Sequence, residues 1–170
     1  ADVIDFMIDA VILGHSRFSH MDDLRDDETY IKIKQRKISS EKVCRDLIEA
    51  MANNIPEEAA KELRDINKDI LAIVAELEDA RNVIMNIDDT VCTIFGDQEG
   101  AEAGYNPRYK GRLSFKEKLA VLHGSNEVVN LTLEGGKNNI QNGLIDFINS
   151  AKAMLPVKWN LTTVRMDCGT

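Results

Sequence analysis

The sequence is dominated by one apolar repeat that runs from residue 56 to residue 95 without a glycine or an internal proline. Its aliphatic side chains recur in steps of three and four residues, which is the spacing of a helix that packs along one face. The seam consists of Leu63, Ile66, Ile70, Ile73, Leu77, Ile84, Ile87, Val91 and Ile94. Pro56 suits a first helical turn and Gly96 suits a C-terminal stop. The pattern therefore predicts a single helix over 56–95, in which the repeat from Ala59 to Ile94 is about 54 Å long.

A helix of this length constrains the fold class, because a compact globule of this size has a diameter of only about 40 Å. Aromatic residues make up 5% of the chain, so the core must be aliphatic, as it is in helical bundles. Further apolar residues beside the seam widen it beyond a two-stranded coiled coil and favour higher-order helix packing. We therefore expect a mainly α protein, an elongated helical bundle in which residues 1–170 form a single helical domain.

Shorter patterns predict the remaining elements. Helical periodicity indicates helices at 2–13, 41–52, 114–123 and 140–154. Alternating apolar and polar residues at 30–35 and 157–164 indicate a small two-stranded β element beside the bundle. Residues 126–134 fit both a strand and one face of a helix, and the sequence leaves the two alternatives open.

Charge is distributed in blocks along the chain, which has a net charge of −8. Acidic and basic blocks that alternate in this way usually face each other within a fold or across an interface. One basic block contains the patch of Lys32, Lys34, Arg36 and Lys37, which would either complement nearby acids or contact phosphates. The acidic overall balance argues against a general nucleic-acid binder.

Residues 97–112 form a long stretch that is rich in glycine, begins acidic and becomes basic and aromatic. Connections between packed helices usually take roughly 2–8 residues, so an exposed loop of this length implies a role of its own. Tyrosine and arginine are enriched at protein-binding hot spots, and they also stack on bases and hold phosphates. The predicted partner-binding residues are Tyr105, Arg108, Tyr109 and Arg112.

The sequence has no Cys-x-x-Cys, no Gly-x-Gly-x-x-Gly and no nucleophile elbow. One acidic pattern remains: residues 57–65 contain Glu62 and Asp65 and follow a short predicted helix that carries Asp46. This arrangement resembles the acidic helix pair of all-α nucleotide pyrophosphohydrolases, the phosphoribosyl-ATP pyrophosphohydrolase group. The resemblance implies pyrophosphate release from a nucleoside triphosphate, with Mg²⁺ held by these three acids. Lys42 and its neighbour stand where that family has a Glu-Glu pair, which removes most of the metal-binding charge.

These features favour a non-enzymatic structural or assembly protein that acts through helix packing and through the exposed loop 97–112. Its partner would be another protein, in a homo- or hetero-oligomer, and a larger particle such as a virion fits this description. The alternatives are a nucleic-acid-associated protein that uses the basic segments 32–37 and 108–118, and a Mg-dependent pyrophosphohydrolase. No cofactor is expected outside that second alternative.

The apolar run near the start of the chain, residues 3–13, is interrupted by Asp5 and Asp9. It is therefore not expected to be a membrane span or a classical secretion signal. A cytoplasmic protein, or one within an assembled particle, is the expectation that follows.

Overall fold

The computed structural model describes residues 2–15 and 17–166, and it shows a mixed α/β chain. The chain divides into two compact units, Ala1–Glu62 and Leu63–Thr170. The second unit contains a five-stranded mixed sheet. The predicted mainly α helical bundle is therefore wrong, and so is the coiled coil that it implied. Within the described residues, no helix is long and apolar enough to cross a membrane.

Short helices build the first unit. They are α1 (Asp2–Ile12), α2 (Met21–Arg25), α3 (Glu28–Lys34) and α4 (Glu41–Asn54), with a 3-10 turn at Phe18–His20. Their inward side chains form a small core of Phe6, Ala10, Met21, Leu24, Tyr30, Ile38 and Cys44. Helices α1 and α4 confirm the predicted helices at 2–13 and 41–52. Ser40 caps α4, because its hydroxyl accepts a hydrogen bond from the Val43 amide.

The acidic face of α1 is paired with basic residues at the C-terminal end of α3. Lys34 Nζ lies 2.5 Å from the Asp9 carboxylate, and Arg36 forms ion pairs with Asp2 and Asp5. The hydrogen bond from Lys34 is the largest of the effects that lower the pKa of Asp9. The first acidic block and the first basic block of the sequence thus face each other, as the charge pattern predicted.

The predicted strand at 30–35 is wrong, because these residues belong largely to helix α3. Asp27 caps the helix, since its carboxylate accepts hydrogen bonds from two backbone amides of the first turn. Gln35 ends the helix in the left-handed conformation, with φ of 50°. The alternation that suggested a strand comes from Ile31 and Ile33, and both are exposed side chains of the helix.

Helix α5 (Pro56–Glu76) is the first half of the predicted long helix. The chain leaves helical geometry after Glu76 and continues as strand β1 (Arg81–Thr93), so the prediction is wrong for the second half. That second half is rich in valine, isoleucine and threonine, which favour strands. The first half is rich in alanine, glutamate and lysine, which favour helices.

Strand β1 lies inside the sheet of the second unit. The other elements are β2 (Glu102–Ala103), β3 (Leu113–Leu122), β4 (Val128–Gly135), α6 (Leu144–Met154) and β5 (Trp159–Met166). Strand β3 lies antiparallel to β1, to β4 and to the short β2. Strand β5 lies parallel to β1 on its other edge, because α6 carries the chain back along the sheet between β4 and β5.

One face of this sheet packs against α5 and α6. Its core contains Val83, Met85, Ile87, Ala120, Leu122 and Val129 from the strands, with Leu71, Ala75, Phe147 and Ala151 from the two helices. The buried Lys118 lies on the same face of β3. Its Nζ donates to the Glu134 carboxylate at 3.1 Å and to the Asn142 carbonyl at 2.7 Å, so the charge is buried with partners.

Three further predictions concern the second unit. The predicted helix at 114–123 is wrong, because these residues form β3 and pair with strands on both sides. The open question at 126–134 resolves as strand β4. The predicted strand at 157–164 exists as β5, but it pairs with β1 and not with residues 30–35. Helix α6 confirms most of the predicted helix at 140–154.

The seam was expected to be buried along its length, and this is wrong along α5. Its members Leu63, Ile66, Ile70, Ile73 and Leu77 are 44% to 84% exposed. The reason is that α5 packs through a different row, in which Leu71 and Ala75 face the sheet. Beyond the break, Ile87 is buried, and Ile84, Val91 and Ile94 are half-buried strand or strand-end residues.

Candidate functional site

Two adjacent aspartates, Asp88 and Asp89, occupy the interior of strand β1. Aspartate is depleted in strands, and β1 has a neighbour on each edge. A residue that opposes the local preference in this way is expected mainly at functional or strained sites. The two side chains point to opposite faces of the sheet, so they need separate explanations.

Asp89 has an ion-pair partner, whereas Asp88 has no ion-pair partner among the described residues. Lys116 Nζ lies 3.1 Å from the Asp89 carboxylate, and Asp89 shares the helix-covered face of the sheet with the buried core. Asp88 is exposed on the other face, which we call the open face. Its carboxylate accepts a hydrogen bond from the Asp89 amide at 2.9 Å, and no cation of the described chain forms an ion pair with it.

A second carboxylate lies close to Asp88 on the open face. The register pairs Asp88 with Leu119 and Thr90 with Glu117, so Asp88 and Glu117 are diagonal neighbours. Diagonal neighbours of this kind are about 7–8 Å apart between their backbones. Glu117 also lies 3.7 Å from the thiol of Cys92, whose pKa is raised by burial and by this carboxylate.

Asp88 stands where the parallel partner of β1 ends in the described residues. The β1–β5 register runs from Arg81 to the pair of Ile87 with Met166. In open α/β sheets, ligands bind beyond the carboxyl ends of parallel strands, where connections leave a strand in opposite directions.

The loop between β1 and β3 is held at defined points. Asn106 is 4% exposed, and its side chain donates to the Thr93 hydroxyl at 2.8 Å and accepts from the Tyr109 amide at 2.9 Å. Gly104 passes so close to the carbonyl of Gly136 that a Cβ at this position would collide with it. The loop is therefore anchored at residues 104, 106 and 109 of its basic half, residues 104–112.

This basic half carries the four predicted partner-binding residues, and it presents them to solvent. Tyr105, Arg108, Tyr109 and Arg112 are all exposed, as is Phe95. The Arg112 guanidinium lies over the Phe95 ring at 5.2 Å, and Tyr109 meets that ring edge-on at 5.6 Å. Among the described residues, neither Arg108 nor Arg112 has an acidic partner.

The predicted basic patch at 32–37 has a different environment. Lys34 and Arg36 are occupied by the carboxylates of α1, and Lys32 lies 3.5 Å from Glu28. Lys37 is exposed and forms no ion pair within the described chain. Three of the four cations are therefore already neutralised inside the first unit.

The alternative metal ligands Asp46, Glu62 and Asp65 are on helices α4 and α5. Lys42 Nζ lies 2.8 Å from the Asp46 carboxylate. Lys42 would therefore compete with a metal ion for this carboxylate. In the part of the chain that is described, no three histidine, cysteine, aspartate or glutamate side chains are grouped to hold a metal ion.

Sequence reasoning identified the loop residues from their composition but missed Asp88 and Glu117. It placed Asp88 in the predicted helix 56–95 and Glu117 in the predicted helix 114–123. An Asp-Asp pair within a run of β-branched residues was the available signal. No known protein family, curated protein or solved structure matches this chain.

Proposed function

We propose that the second unit binds nucleic acid along the basic half of the loop, residues 104–112, and assists phosphodiester chemistry with a divalent cation at Asp88. The observation that carries this proposal is the unpaired, exposed Asp88 carboxylate in the interior of a central strand. The expectation of a non-enzymatic assembly protein was based on helix packing and on the exposed loop 97–112, and of these only the helical bundle is overturned by the α/β sheet.

Magnesium is the cation that this arrangement suits. Mg²⁺ keeps several waters and is commonly held by one or two carboxylates together with phosphate oxygens of the substrate. Asp88 and its diagonal neighbour Glu117 supply two carboxylates without forming a complete cage. A cation bound there would polarise a phosphoryl oxygen and activate a water molecule, which is how metal ions assist hydrolysis.

A polymeric substrate fits better than a free nucleotide. Asp88 and Thr93, where the loop is anchored, are five positions apart on the strand, which is about 16 Å at 3.3 Å per residue. A nucleic-acid strand advances about 3.4 Å per nucleotide along a duplex, so a chain of about five nucleotides covers this distance. Exposed tyrosines stack on bases, and arginines contact phosphates, which suits Tyr105, Arg108 and Arg112.

Activity on labelled single- and double-stranded DNA and RNA with Mg²⁺ or Mn²⁺ tests the catalytic part. We expect cleavage or strand transfer by the wild type and its loss in Asp88→Asn, with a smaller loss in Glu117→Gln. Asp146→Asn on α6 is the matched control, because that carboxylate is also exposed but lies away from the strand pair. Equal activity of Asp88→Asn and wild type would refute the role of Asp88.

Binding is measured separately, because it does not require turnover. The double variant Arg108→Glu/Arg112→Glu should weaken nucleic-acid binding. The slope of log affinity against log salt concentration should become shallower by the amount expected for the loss of about two phosphate contacts. The matched control is Lys152→Glu on α6, which changes an exposed cation outside the loop. An unchanged salt dependence in the double variant would remove the loop from the binding surface.

A second candidate is a protein interface at the same loop residues. It is favoured by the acidic first half of the loop, because Asp97 lines the same cleft as Lys110 and Arg112. A surface with both signs of charge suits a complementary protein. In that case Arg108→Glu/Arg112→Glu should abolish assembly at low salt, as seen by mass measurement, and should leave nucleic-acid binding unchanged. Normal assembly of the double variant at low salt would exclude this candidate.

A further inference from the structure

Helix α5 carries a row of large apolar side chains that the second unit does not cover. We call this row the stripe; it consists of Leu63, Ile66, Ile70 and Ile73, together with Leu77, which directly follows the last residue of the helix. Spacings of three and four residues place all five on one side of the helix over about 21 Å. Their combined exposed surface is on the order of several hundred Å², which is the size of the largest apolar patch on a typical monomer.

The orientation of α5 is fixed by its other side, so the stripe cannot turn inward without breaking the core. Leu71 and Ala75 are buried at 2% and 3% exposure against the sheet. Asn67 Nδ2 donates to the Val128 carbonyl at 3.1 Å, and Lys158 Nζ donates to the Ala75 carbonyl at 3.4 Å. These contacts leave the stripe as an outward-facing helix seam.

An acidic row borders the stripe on the edge away from the sheet. Glu62, Asp69 and Glu76 recur every seven residues, and none has an ion-pair partner among the described residues. In helix pairs, residues that flank the apolar seam select the partner by charge. The missing complement is therefore a helix with lysine or arginine beside its own seam.

A second copy of α5 does not supply that complement. An antiparallel pair would place the acidic rows of the two copies against each other, which is repulsive. A parallel pair would place the acidic row, which includes Asp69, against the row of Asn67 and Val74, and that row contains no cation. Charge thus favours a different helix over self-association.

We propose that the stripe binds an amphipathic helix of a partner protein whose apolar seam is flanked by basic residues. The surface is formed by residues other than Asp88 and the basic loop, so this contact is independent of the proposed function. The partner helix would cover the five stripe residues and neutralise the acidic row. This is the helix-in-groove mode of recognition, in which residues spaced three and four apart serve as anchors.

Two synthetic helical peptides test the proposal with the full chain. Both carry leucine and isoleucine at the seam positions; one has lysine at the flanking positions and the other has glutamate. We expect the lysine peptide to bind the wild type at least about tenfold more tightly than the glutamate peptide, by fluorescence anisotropy at low salt. Equal binding of the two peptides would overturn the charge assignment.

Variants of the chain test whether the peptide binds to the stripe. Ile70→Ser/Ile73→Ser should lose binding of the lysine peptide by about tenfold or more and keep the melting temperature, since both side chains are exposed. Leu131→Ser is the matched control, because it removes an exposed apolar side chain from β4. Asp69→Lys/Glu76→Lys should reverse the preference and bind the glutamate peptide.

Three outcomes would overturn the proposal. The first is unchanged binding in Ile70→Ser/Ile73→Ser, and the second is no reversal in the charge-swapped variant. The third is dimerisation of the wild-type chain in sedimentation equilibrium that Ile70→Ser/Ile73→Ser abolishes, because a second copy would then occupy the stripe.

Discussion

The two halves of the segment 56–95 share one apolar spacing and adopt different structures. Residues 56–76 form helix α5, and residues 81–93 form strand β1. In the helix, the evenly spaced aliphatic row is exposed, and a neighbouring row with Leu71 is buried. In the strand, alternate residues are buried, which selects Val83, Met85 and Ile87. The same spacing thus marks a free surface in one half and a partly buried strand in the other.

This difference shows that periodicity alone does not determine secondary structure. In a pattern with steps of four and three residues, each step of four also joins two residues on the same face of a strand, because strand side chains alternate with a period of two. Residue type then decides, because β-branched side chains lose rotamer freedom in a helix and pack well on a pleated surface. Four predictions test the contrast between the two halves, from the largest expected effect to the smallest.

Ile87→Asp in the strand half should prevent folding of the second unit. The side chain is 2% exposed between the sheet and its helices, and a stranded charge there costs several kcal/mol against a total stability of about 5–15 kcal/mol. Circular dichroism and chemical denaturation measure the loss. A cooperative transition at the wild-type midpoint would contradict the assignment of β1 to the core.

Adjacent residues of α5 should respond very differently to truncation. Leu71→Ala should lower the free energy of unfolding by about 2–5 kcal/mol, because it leaves a cavity against the sheet. Ile70→Ala should change it by less than about 1 kcal/mol, because Ile70 is 51% exposed. Urea denaturation of both variants provides the comparison. Similar losses would mean that the stripe is covered in the isolated chain.

A pH-dependent contact holds the start of the strand half. Arg81 Nη2 lies 3.0 Å from the Glu127 carboxylate, and its guanidinium lies over the Trp159 ring at 4.3 Å. Burial raises the pKa of Glu127, but bonds from Ser125 and Arg81 outweigh it and lower the pKa overall. A carboxyl group whose pKa is lower in the folded state stabilises the fold above its unfolded pKa, and that contribution disappears as pH falls through the folded pKa.

We therefore expect Glu127→Gln to be less stable than the wild type at neutral pH. The difference should shrink as the pH falls below the ordinary glutamate range of about 4.3. Urea denaturation at several pH values measures this convergence. Asp146→Asn serves as the control, and a difference for Glu127→Gln that stays constant down to strongly acidic pH would show that packing rather than charge is responsible.

The smallest expected change in stability comes from introducing valine at one exposed position in each half. Ala72→Val in α5 should cost about 0.5 kcal/mol, because valine is a poorer helix former than alanine. Thr90→Val in β1 should be neutral or slightly stabilising, since both residues suit a strand. Thermal melting of the two variants shows whether each substitution raises or lowers the stability. Opposite signs from those expected would mean that tertiary contacts override local preference at these sites.

The sequence was informative where local chemistry determines structure. Ser40 caps α4 at the start of the predicted helix 41–52, and α1 and α6 follow their apolar periodicity because each buries a single face. It was misleading at β3, where Phe115, Leu119 and Leu122 fit a helical face. That segment is a strand because β1 and β4 satisfy its backbone hydrogen bonds, and neither partner is visible in the local sequence.

The same distinction between local sequence information and contacts made only in the fold applies to the candidate site. Composition was sufficient to single out Arg108 and Arg112, because long glycine-rich loops lie on the surface. The neutralisation of Lys34 and Arg36 depends on the folded position of α1, which no local pattern encodes. The neighbourhood of Asp88 and Glu117 depends on the register of two strands, so it could not be inferred before the strands were known.

The parallel pairing of β1 with β5 also determines the order in which this sheet is completed. Strands β1, β3 and β4 meet through nearby connections, whereas β5 reaches β1 only about 80 residues later. During synthesis from the N-terminus, the outer edge of β1 therefore stays unpaired until α6 and β5 have emerged. An unpaired strand edge is a template for other chains. Chaperone demand and aggregation should consequently be greatest for nascent chains that have completed the antiparallel strands but not yet β5.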